Sequence, residues 1–330
     1  MKPRRTPCRG LHRAPLGLLG FLAAAAVCAE PVQVDVIKQP YGGARNVPEI
    51  STNPDYIHAA GLERLLGEWG GELIRPVQDV RLDAAQERQY GEWHRMAMAN
   101  GNMAALVREV RARADLVVGL EANCNVLLGM LAGLAQDDDG GARRLGLVFI
   151  DAHGDFNVPE TTLSGMLGGM PVAVAAGHAL HNIRRTSGLA EPLPMQHIVW
   201  GAVRDLDPLE AERFREHEAQ QFSVDDIRTR SATLRASIDA LAGRVDAIYV
   251  HVDMDVLDPA EVPGHRLAVA DGPSSRELAD AIALMFEQPK TIALGIASTP
   301  AAPLDPGGVS RRAALNLIEG AIRGIRARSP

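Results

Sequence analysis

The sequence has few cysteines, and their positions exclude a disulfide-rich fold. Only three occur among 330 residues, and two of them, Cys8 and Cys28, lie within the first 29 residues. The third is Cys124, which would have no partner in a chain that had lost that segment. No disulfide framework can therefore be built.

Dense positive charge is also missing. The formal net charge is −7 at pH 7, and the sequence has no compact tract of lysine and arginine beyond its N-terminus. Nucleic-acid binding relies on such residues to neutralise phosphates, so a small-molecule substrate is the better expectation. A composition of 46% hydrophobic and 4% aromatic residues is ordinary for a globular protein and disfavours disordered and membrane-spanning classes.

The N-terminal segment differs from the rest of the chain. Basic residues precede an apolar run at 14–29 that ends in Val27, Cys28 and Ala29, which is typical of a cleavable secretory signal. The run is too short for a transmembrane helix. We expect residues 1–29 to be a signal peptide and residues 30–330 to be one exported or periplasmic domain. The alternative is a misassigned start codon upstream of a cytoplasmic enzyme.

A first candidate metal motif follows an apolar run in the middle of the chain. Leu147–Ile150 is typical of a parallel strand buried on both faces, and it is followed at once by Asp151, His153 and Asp155. Alternate side chains of an extended segment project to one side about 7 Å apart, so these three can converge on one or two cations. A solvated turn is the alternative.

A second motif repeats this pattern about a hundred residues later. The apolar run 247–250 leads into Asp253, Asp255 and Asp258. Clustered carboxylates raise one another's pKa unless cations neutralise them. Carboxylates with one imidazole suit Mn²⁺, with zinc, iron or cobalt possible, and two such ions can acidify a water.

Strand and helix patterns alternate along the chain, which indicates one α/β domain with a parallel sheet. Segments 32–37, 74–80 and 291–296 are among the predicted strands, and 223–242 is predicted to be helical. Ligands of such sheets bind at the carboxyl ends of strands, where both metal motifs lie.

At these residues the sequence resembles the ureohydrolase family, which includes arginase and agmatinase. The resemblance covers most of the chain after residue 31. Its motifs are DAHGDFN at Asp151–Asn157, TTLSGMLGGMPV at Thr161–Val172, RDLDPLE at Arg204–Glu210 and HVDMDVLDP at His251–Pro259. The resemblance implies a three-layer α/β sandwich with a mostly parallel eight-stranded sheet, two divalent metal ions expected to be Mn²⁺, and hydrolysis of a guanidino or amidino C–N bond. It also implies a homo-oligomer, a trimer or hexamer.

The resemblance also implies roles for single residues. Asp151 and Asp253 would bridge two ions, and Asp155 would be catalytic by orienting the nucleophile. The implied metal ligands are Cys124, Asp151, His153, Asp155, Asp253 and Asp255.

Four further residues are implied to bind the substrate. Asn157 and Ser164 would hydrogen-bond an α-carboxylate, and Asp207 and Glu210 would face an α-amino group. Each of them could equally be a capping or turn residue.

Three positions depart from the family pattern. Cys124 stands where the family usually has a histidine ligand; a thiolate could bind metal there, or the residue could be only a small buried hydrophobe. Gly168 stands where arginases carry a histidine, and Ala297 where the family has a glutamate for the guanidinium. Loss of a buried charged pair costs about 2–5 kcal/mol, so we expect a modified guanidino amino acid rather than arginine itself.

Two other functions remain open at this stage. The altered positions also fit a catalytically degenerate protein that binds metal or ligand without turnover. Deacetylases of related architecture place aspartate and histidine at strand ends around one zinc, so an amide hydrolase is a further alternative.

Overall fold

The computed structural model describes residues 30–43, 52–136 and 140–328. The predicted signal peptide, residues 1–29, lies outside these ranges.

Nine strands form one sheet, and every pairing between these strands is parallel. The strands are β1 Val32–Gln39, β2 Gly71–Leu73, β3 Gln78–Asp79, β4 Leu116–Glu121, β5 Leu145–Ile150, β6 Ile198–Gly201, β7 Gln220–Phe222, β8 Ala247–Asp253 and β9 Thr291–Ala297. Their order across the sheet is β2-β1-β4-β9-β8-β5-β6-β7, with β3 also paired to β1. Strands β4, β5 and β8 are buried along their whole length, as a sheet covered on both faces requires.

The strand count is nine rather than the expected eight because two short strands lie beside β1 at this edge. The segment 74–80 is predicted to be one strand, but within it only Gln78–Asp79 (β3) is a strand, and β2, Gly71–Leu73, precedes it. Both pair with β1 along the same edge. Pro76 lies between them, and proline has no N–H to donate to a neighbouring strand, so the pairing is interrupted there.

Twelve α-helices in the described ranges cover the two faces of the sheet. They are α1 Asn53–His58, α2 Leu62–Trp69, α3 Ala84–Glu87, α4 Glu92–Val110, α5 Leu127–Leu134, α6 Pro171–Ala175, α7 His181–Thr186, α8 Pro208–Glu216, α9 Val224–Thr229, α10 Ala232–Arg244, α11 Ser275–Glu287 and α12 Val309–Arg326. Apolar residues of α1, α2 and α9 to α12 pack on one face, and those of α4 to α8 pack on the other. The predicted three-layer α/β sandwich is thereby confirmed. None of these helices is long and apolar enough to cross a membrane.

The topology brings the ends of four strands together in the middle of the sheet. After β4 the chain forms β5 three positions away in the sheet. The later strands β9 and β8 then fill the two positions between them. The register is level, since Glu121 pairs with Ala297 and Ala297 pairs with Asp253. The carboxyl ends of β4, β9, β8 and β5 therefore line one crevice, where α/β sheets bind ligands.

Candidate metal centre

The six predicted metal ligands all lie at this crevice. Each follows or ends one of the strands β4, β5 and β8, so residues far apart in sequence become neighbours. Three overlapping groups have ligand atoms within 4.8 Å of one another. They are Cys124, Asp151 and Asp155; Asp151, His153 and Asp255; and Asp253, Asp255 and His265.

Local backbone hydrogen bonds hold the two motifs in place. Oδ1 of Asp151 accepts a hydrogen bond from the backbone N–H of His153 at 2.8 Å, and Oδ1 of Asp253 accepts one from the N–H of Asp255 at 3.0 Å. Each bond joins residue i to residue i+2, a turn that aspartate favours. The third carboxylate, Asp155, has a left-handed backbone with φ of 47°, and its carbonyl accepts a hydrogen bond from Val172 at the start of α6. The motif is thus fixed by its own turns and by the following helix.

His153 lies between two carboxylates. Its Nδ1 is 3.1 Å from Asp255 Oδ2 and 3.3 Å from Asp151 Oδ1, while its Nε2 faces Asp205 at 3.7 Å. Two atoms at about 2.1 Å from one ion lie about 3.0–4.2 Å apart when the angle between them is 90–180°. The distances from Nδ1 to both carboxylate oxygens are therefore those expected of ligands that share one cation.

Cys124 lies on the other side of the centre. Its buried Sγ is 2.8 Å from Asp253 Oδ2 and 3.8 Å from Asp151 Oδ2. Among the described residues it is the one free thiol. Burial, and then the negative charges of Asp253, Asp155 and Asp151, raise its pKa well above the ordinary value. Without a cation the group is a neutral thiol that donates to Asp253, and a bound cation would favour the thiolate.

The donor set fits a pair of divalent cations. Four carboxylates (Asp151, Asp155, Asp253 and Asp255) are buried within a few ångströms of one another. Burial, followed by the charges of Asp151 and Asp253, raises the pKa of Asp155 and that of Asp255 well above the usual range. Such buried like charges are stable in ionised form only beside positive charge. Oxygen, imidazole and thiolate donors are all present to hold it.

Metal loading is expected to release protons. Burial alone would lower the pKa of His153, but hydrogen bonds and charges from Asp151 and Asp255 raise it to about 12, so the metal-free imidazole is protonated at neutral pH. A metal ligand must be a neutral imidazole or a thiolate, so binding displaces these protons and apparent affinity rises with pH. Calorimetric titration of metal-free protein with Mn²⁺, in two buffers of different ionisation enthalpy, measures the release. Equal heats in the two buffers would contradict the prediction.

The implied substrate-binding residues occupy two different environments. Asn157 is buried and donates from Nδ2 to Asp207 Oδ2 at 3.2 Å, so these two residues are brought together. Glu210 is buried on α8, with Oε1 accepting from the Phe156 N–H at 2.8 Å. Burial raises the pKa of Glu210 to about 7. Ser164 is exposed, and its hydroxyl accepts from the N–H of Met166 within its own loop.

The positions that depart from the family pattern leave space or apolar surface. Ala297 ends β9 and is fully buried beside Asp253 and Glu121. A Cβ added to Gly168 would meet nothing within 4 Å. Asp258, the last carboxylate of the second motif, instead accepts a hydrogen bond from the N–H of Ala260 and caps a turn.

Sequence reasoning missed two side chains that contact Asp253. Ser298 follows β9 in a left-handed conformation with φ of 59°, and its hydroxyl donates to Asp253 Oδ2 at 2.6 Å. His265 reaches Asp253 from a loop, with Nε2 at 3.8 Å from Oδ1. The sequence does contain an indication of the position of His265. The preceding Pro263-Gly264 pair predicts a tight turn close to the second motif.

A buried polar network under the centre was also missed. The Tyr249 hydroxyl donates to Glu121 Oε1 at 2.7 Å and lies 2.8 Å from His251 Nδ1. All three side chains are buried, and burial followed by the charge of Glu121 raises the pKa of Tyr249. Gly295 makes room for it, since a Cβ there would collide with the hydroxyl. The network joins β4 to β8 across β9.

Replacement of Tyr249 by phenylalanine is expected to destabilise the protein. The change removes the hydroxyl that satisfies Glu121 and His251, and a buried polar group left unsatisfied costs about 1–3 kcal/mol. The free energy of unfolding, measured with urea, should fall by that amount. Tyr90→Phe is the matched control because Tyr90 is 98% exposed, and its change should stay within about 0.5 kcal/mol. Equal stabilities of the two variants would refute the role of the network.

Comparison with known sequences places the chain among ureohydrolases. Residues 33–323 match the sequence model of the arginase family. An arginase from Bacillus caldovelox is 31% identical over 194 residues, which span 58% of this chain and 64% of that protein. An arginase from Bacillus subtilis strain 168 is 25% identical over 259 residues, or 77% of this chain and 86% of that protein.

Solved structures agree with this placement at the level of the fold. The arginase of Bacillus subtilis aligns over 89% of this chain and 98% of its own, with a TM-score of 0.74 and 23% identity. Formimidoylglutamase from the same species aligns over 91% of this chain and 89% of its own, with a TM-score of 0.69 and 17% identity. The fold is thus similar to that of enzymes whose names indicate different substrates.

Proposed function

The chain belongs to the arginase family, and we propose that it is a metal-dependent hydrolase of a guanidino or amidino C–N bond that acts on a modified guanidino amino acid rather than on arginine. The observation that carries this proposal is the convergence of Cys124, His153 and four buried carboxylates at the carboxyl edge of the sheet. Two divalent cations held there would acidify a water and supply a nucleophile near neutral pH.

The chain's own residues would do the remaining work. Asp155 is buried, fixed by α6 through its carbonyl, and within ligand distance of Cys124 and Asp151, which suits a carboxylate that orients the nucleophile. Asn157 and Asp207, already hydrogen-bonded to each other, would face the amino-acid end of the substrate.

Two features support a substrate other than free arginine. The methyl group of Ala297 offers no charge to a guanidinium at the end of β9. In addition, four large apolar side chains are exposed on segments that follow β5, β6 and β8 at the same edge. They are Leu163, Met166, Leu209 and Leu267. Without a charged partner at Ala297, a substituted, less strongly charged guanidino group would lose less binding free energy than a free guanidinium.

A substrate screen tests the proposal. The protein, loaded with Mn²⁺, is incubated with arginine, hydroxyarginine, agmatine and guanidino acids, and release of urea or a substituted urea is measured. We expect a substituted compound to be turned over faster than arginine. Turnover of arginine as the best substrate would overturn the specificity, while absence of turnover for every amidine with two metals bound would overturn the activity.

The three departures from the family pattern favour a second candidate, a protein that binds metal and ligand without catalysis. In that case calorimetry would show tight binding of metal and of a guanidino amino acid, and the same screen would yield no product. A deacetylase-like amide hydrolase would instead bind one zinc, so metal counting separates it from both.

A further inference from the structure

His265 is held beside the metal centre by a tight turn. Its N–H donates to the Val262 carbonyl at 3.0 Å, with Pro263 and Gly264 between them and a φ of 82° at Gly264. Proline followed by a glycine with positive φ is the signature of a type II turn. A Cβ at Gly264 would also collide with the backbone of Leu304, so the turn is packed in one position. The sequence therefore fixes where this imidazole points.

The imidazole is largely enclosed and faces carboxylates. Its side chain is only 10% exposed, and the Asp253 and Asp255 oxygens lie within 4.8 Å of one of its ring nitrogens. Nε2 is 3.8 Å from Asp253 Oδ1, which is too long for a hydrogen bond. The same separation lies inside the range of about 3.0–4.2 Å for two atoms that bind one ion. The distance between Nε2 and Oδ1 is therefore that expected of two ligands of one ion rather than of a direct hydrogen bond.

We propose that His265 is an additional imidazole ligand for the ion held by Asp253 and Asp255, an inference that rests on the proposed metal-dependent function. His153 reaches the same Asp255 from the motif after β5, at 3.1 Å, so the two imidazoles flank one carboxylate. The ion held by Asp253 and Asp255 would then have an imidazole donor from His265, and the ion on the side of Cys124 would have a sulfur donor.

Coordination by Nε2 requires the ring to change its hydrogen bonds, which involve the backbones of Leu267 and Ser298. In the metal-free chain Nδ1 accepts a hydrogen bond from the Leu267 N–H at 3.3 Å, which leaves the proton on Nε2. A neutral imidazole that binds through Nε2 carries its proton on Nδ1, so this long hydrogen bond is given up and the ring changes tautomer. The backbone of Leu267 lies in an exposed segment, where water can replace the bond.

The extra imidazole changes which metal the site prefers. Oxygen-rich sites suit Mn²⁺, whereas imidazole suits zinc, iron and other later transition metals. With His265 bound, Co²⁺ or Zn²⁺ should compete with Mn²⁺ at this position more strongly than carboxylates alone would allow. Removal of His265 should shift the preference back towards Mn²⁺.

Metal stoichiometry and cobalt absorption test the proposal in the full chain. His265→Ala and His265→Gln are dialysed against limiting metal and analysed by atomic emission, and their Co²⁺ spectra are recorded. We expect the affinity for the ion held by Asp253 and Asp255 to fall by about 10–100-fold or more in both variants. The visible d–d bands of bound Co²⁺ should change as well. The near-ultraviolet thiolate-to-cobalt band, which reports Cys124, should persist. His197→Ala is the control, because His197 is buried but precedes β6 at the opposite edge of the sheet.

The outcomes separate this inference from the proposed function. Two tightly bound ions and an unchanged cobalt spectrum in both His265 variants would overturn the ligand role and leave the hydrolase proposal intact. Wild-type protein that binds no divalent metal would overturn both. Thermal melts of the metal-free variants check that they are folded, and a normal melt with one weakened ion supports the inference.

Discussion

Replacement of Cys124 by serine is expected to lower the bound metal from two ions towards one. The thiol is buried 2.8 Å from Asp253 and 3.8 Å from Asp151, and it lies in one potential ligand group with Asp151 and Asp155. A serine hydroxyl is similar in size to the thiol but does not ionise at neutral pH. The ion held by Cys124, Asp151 and Asp155, called the first ion below, therefore loses an anionic donor. Cys124→His should retain two ions, because imidazole is also a competent ligand.

Cobalt absorption measures the same contact directly. Cobalt-loaded protein should show a thiolate-to-metal absorption band that Cys124→Ser lacks. Two tightly bound ions and full activity in Cys124→Ser would show that the residue serves only for packing.

A thiolate donor also makes the two metal positions unequal. The ion near Cys124, Asp151 and Asp155 would have a soft sulfur donor, whereas the ion near His153 and Asp255 would have nitrogen and oxygen donors. Zinc, iron or cobalt should therefore compete with Mn²⁺ most strongly at the first position. Oxidation of the thiol should release that ion and reduce activity.

The layered fold was readable from local pattern, because buried parallel strands are short, continuous apolar runs. Leu147–Ile150 was predicted to be such a strand, and it ends β5. Failures arose where one residue breaks a regular pattern. Pro76 lies in the predicted strand 74–80, of which only Gln78–Asp79 is a strand. Arg230, with φ of 50°, ends α9, so the predicted helix 223–242 is two helices.

The candidate site was readable where its residues form local motifs. Asp151, His153 and Asp155 lie within five residues of one another, so their spacing alone indicates a shared ligand. Ser298 reaches Asp253 from the end of β9, and no spacing rule connects these two residues. The same holds for Glu121 and Tyr249, whose hydrogen bond joins residues 128 positions apart. Such contacts depend on strand order, which local sequence does not encode.

Asp253→Asn is expected to remove both ions and almost all activity. The carboxylate is the central acceptor of the site: Oδ2 accepts from Cys124 and Ser298, and Oδ1 accepts from the N–H of Asp255 and faces His265. An amide carries no negative charge, and its NH₂ group would face hydrogen-bond donors. Both ions would therefore lose the carboxylate that they are expected to share. Without an acidified water, turnover should fall by on the order of 10³-fold or more.

The metal-free stability of this variant should change much less than its activity. Removal of one of four buried carboxylates relieves like-charge repulsion, whereas loss of an acceptor for Cys124 and Ser298 opposes that gain, so the metal-free variant should melt close to wild type. Metal should stabilise only the wild type, by about 2.7 kcal/mol per site at a hundredfold excess over Kd. Asp258→Asn is the matched control, since Asp258 lies in the same motif but caps a turn through Ala260, and it should keep both ions and full turnover. Two ions retained in Asp253→Asn would show that the metals do not depend on this carboxylate, and a metal-free form that melts well below wild type would show that Asp253 stabilises the fold.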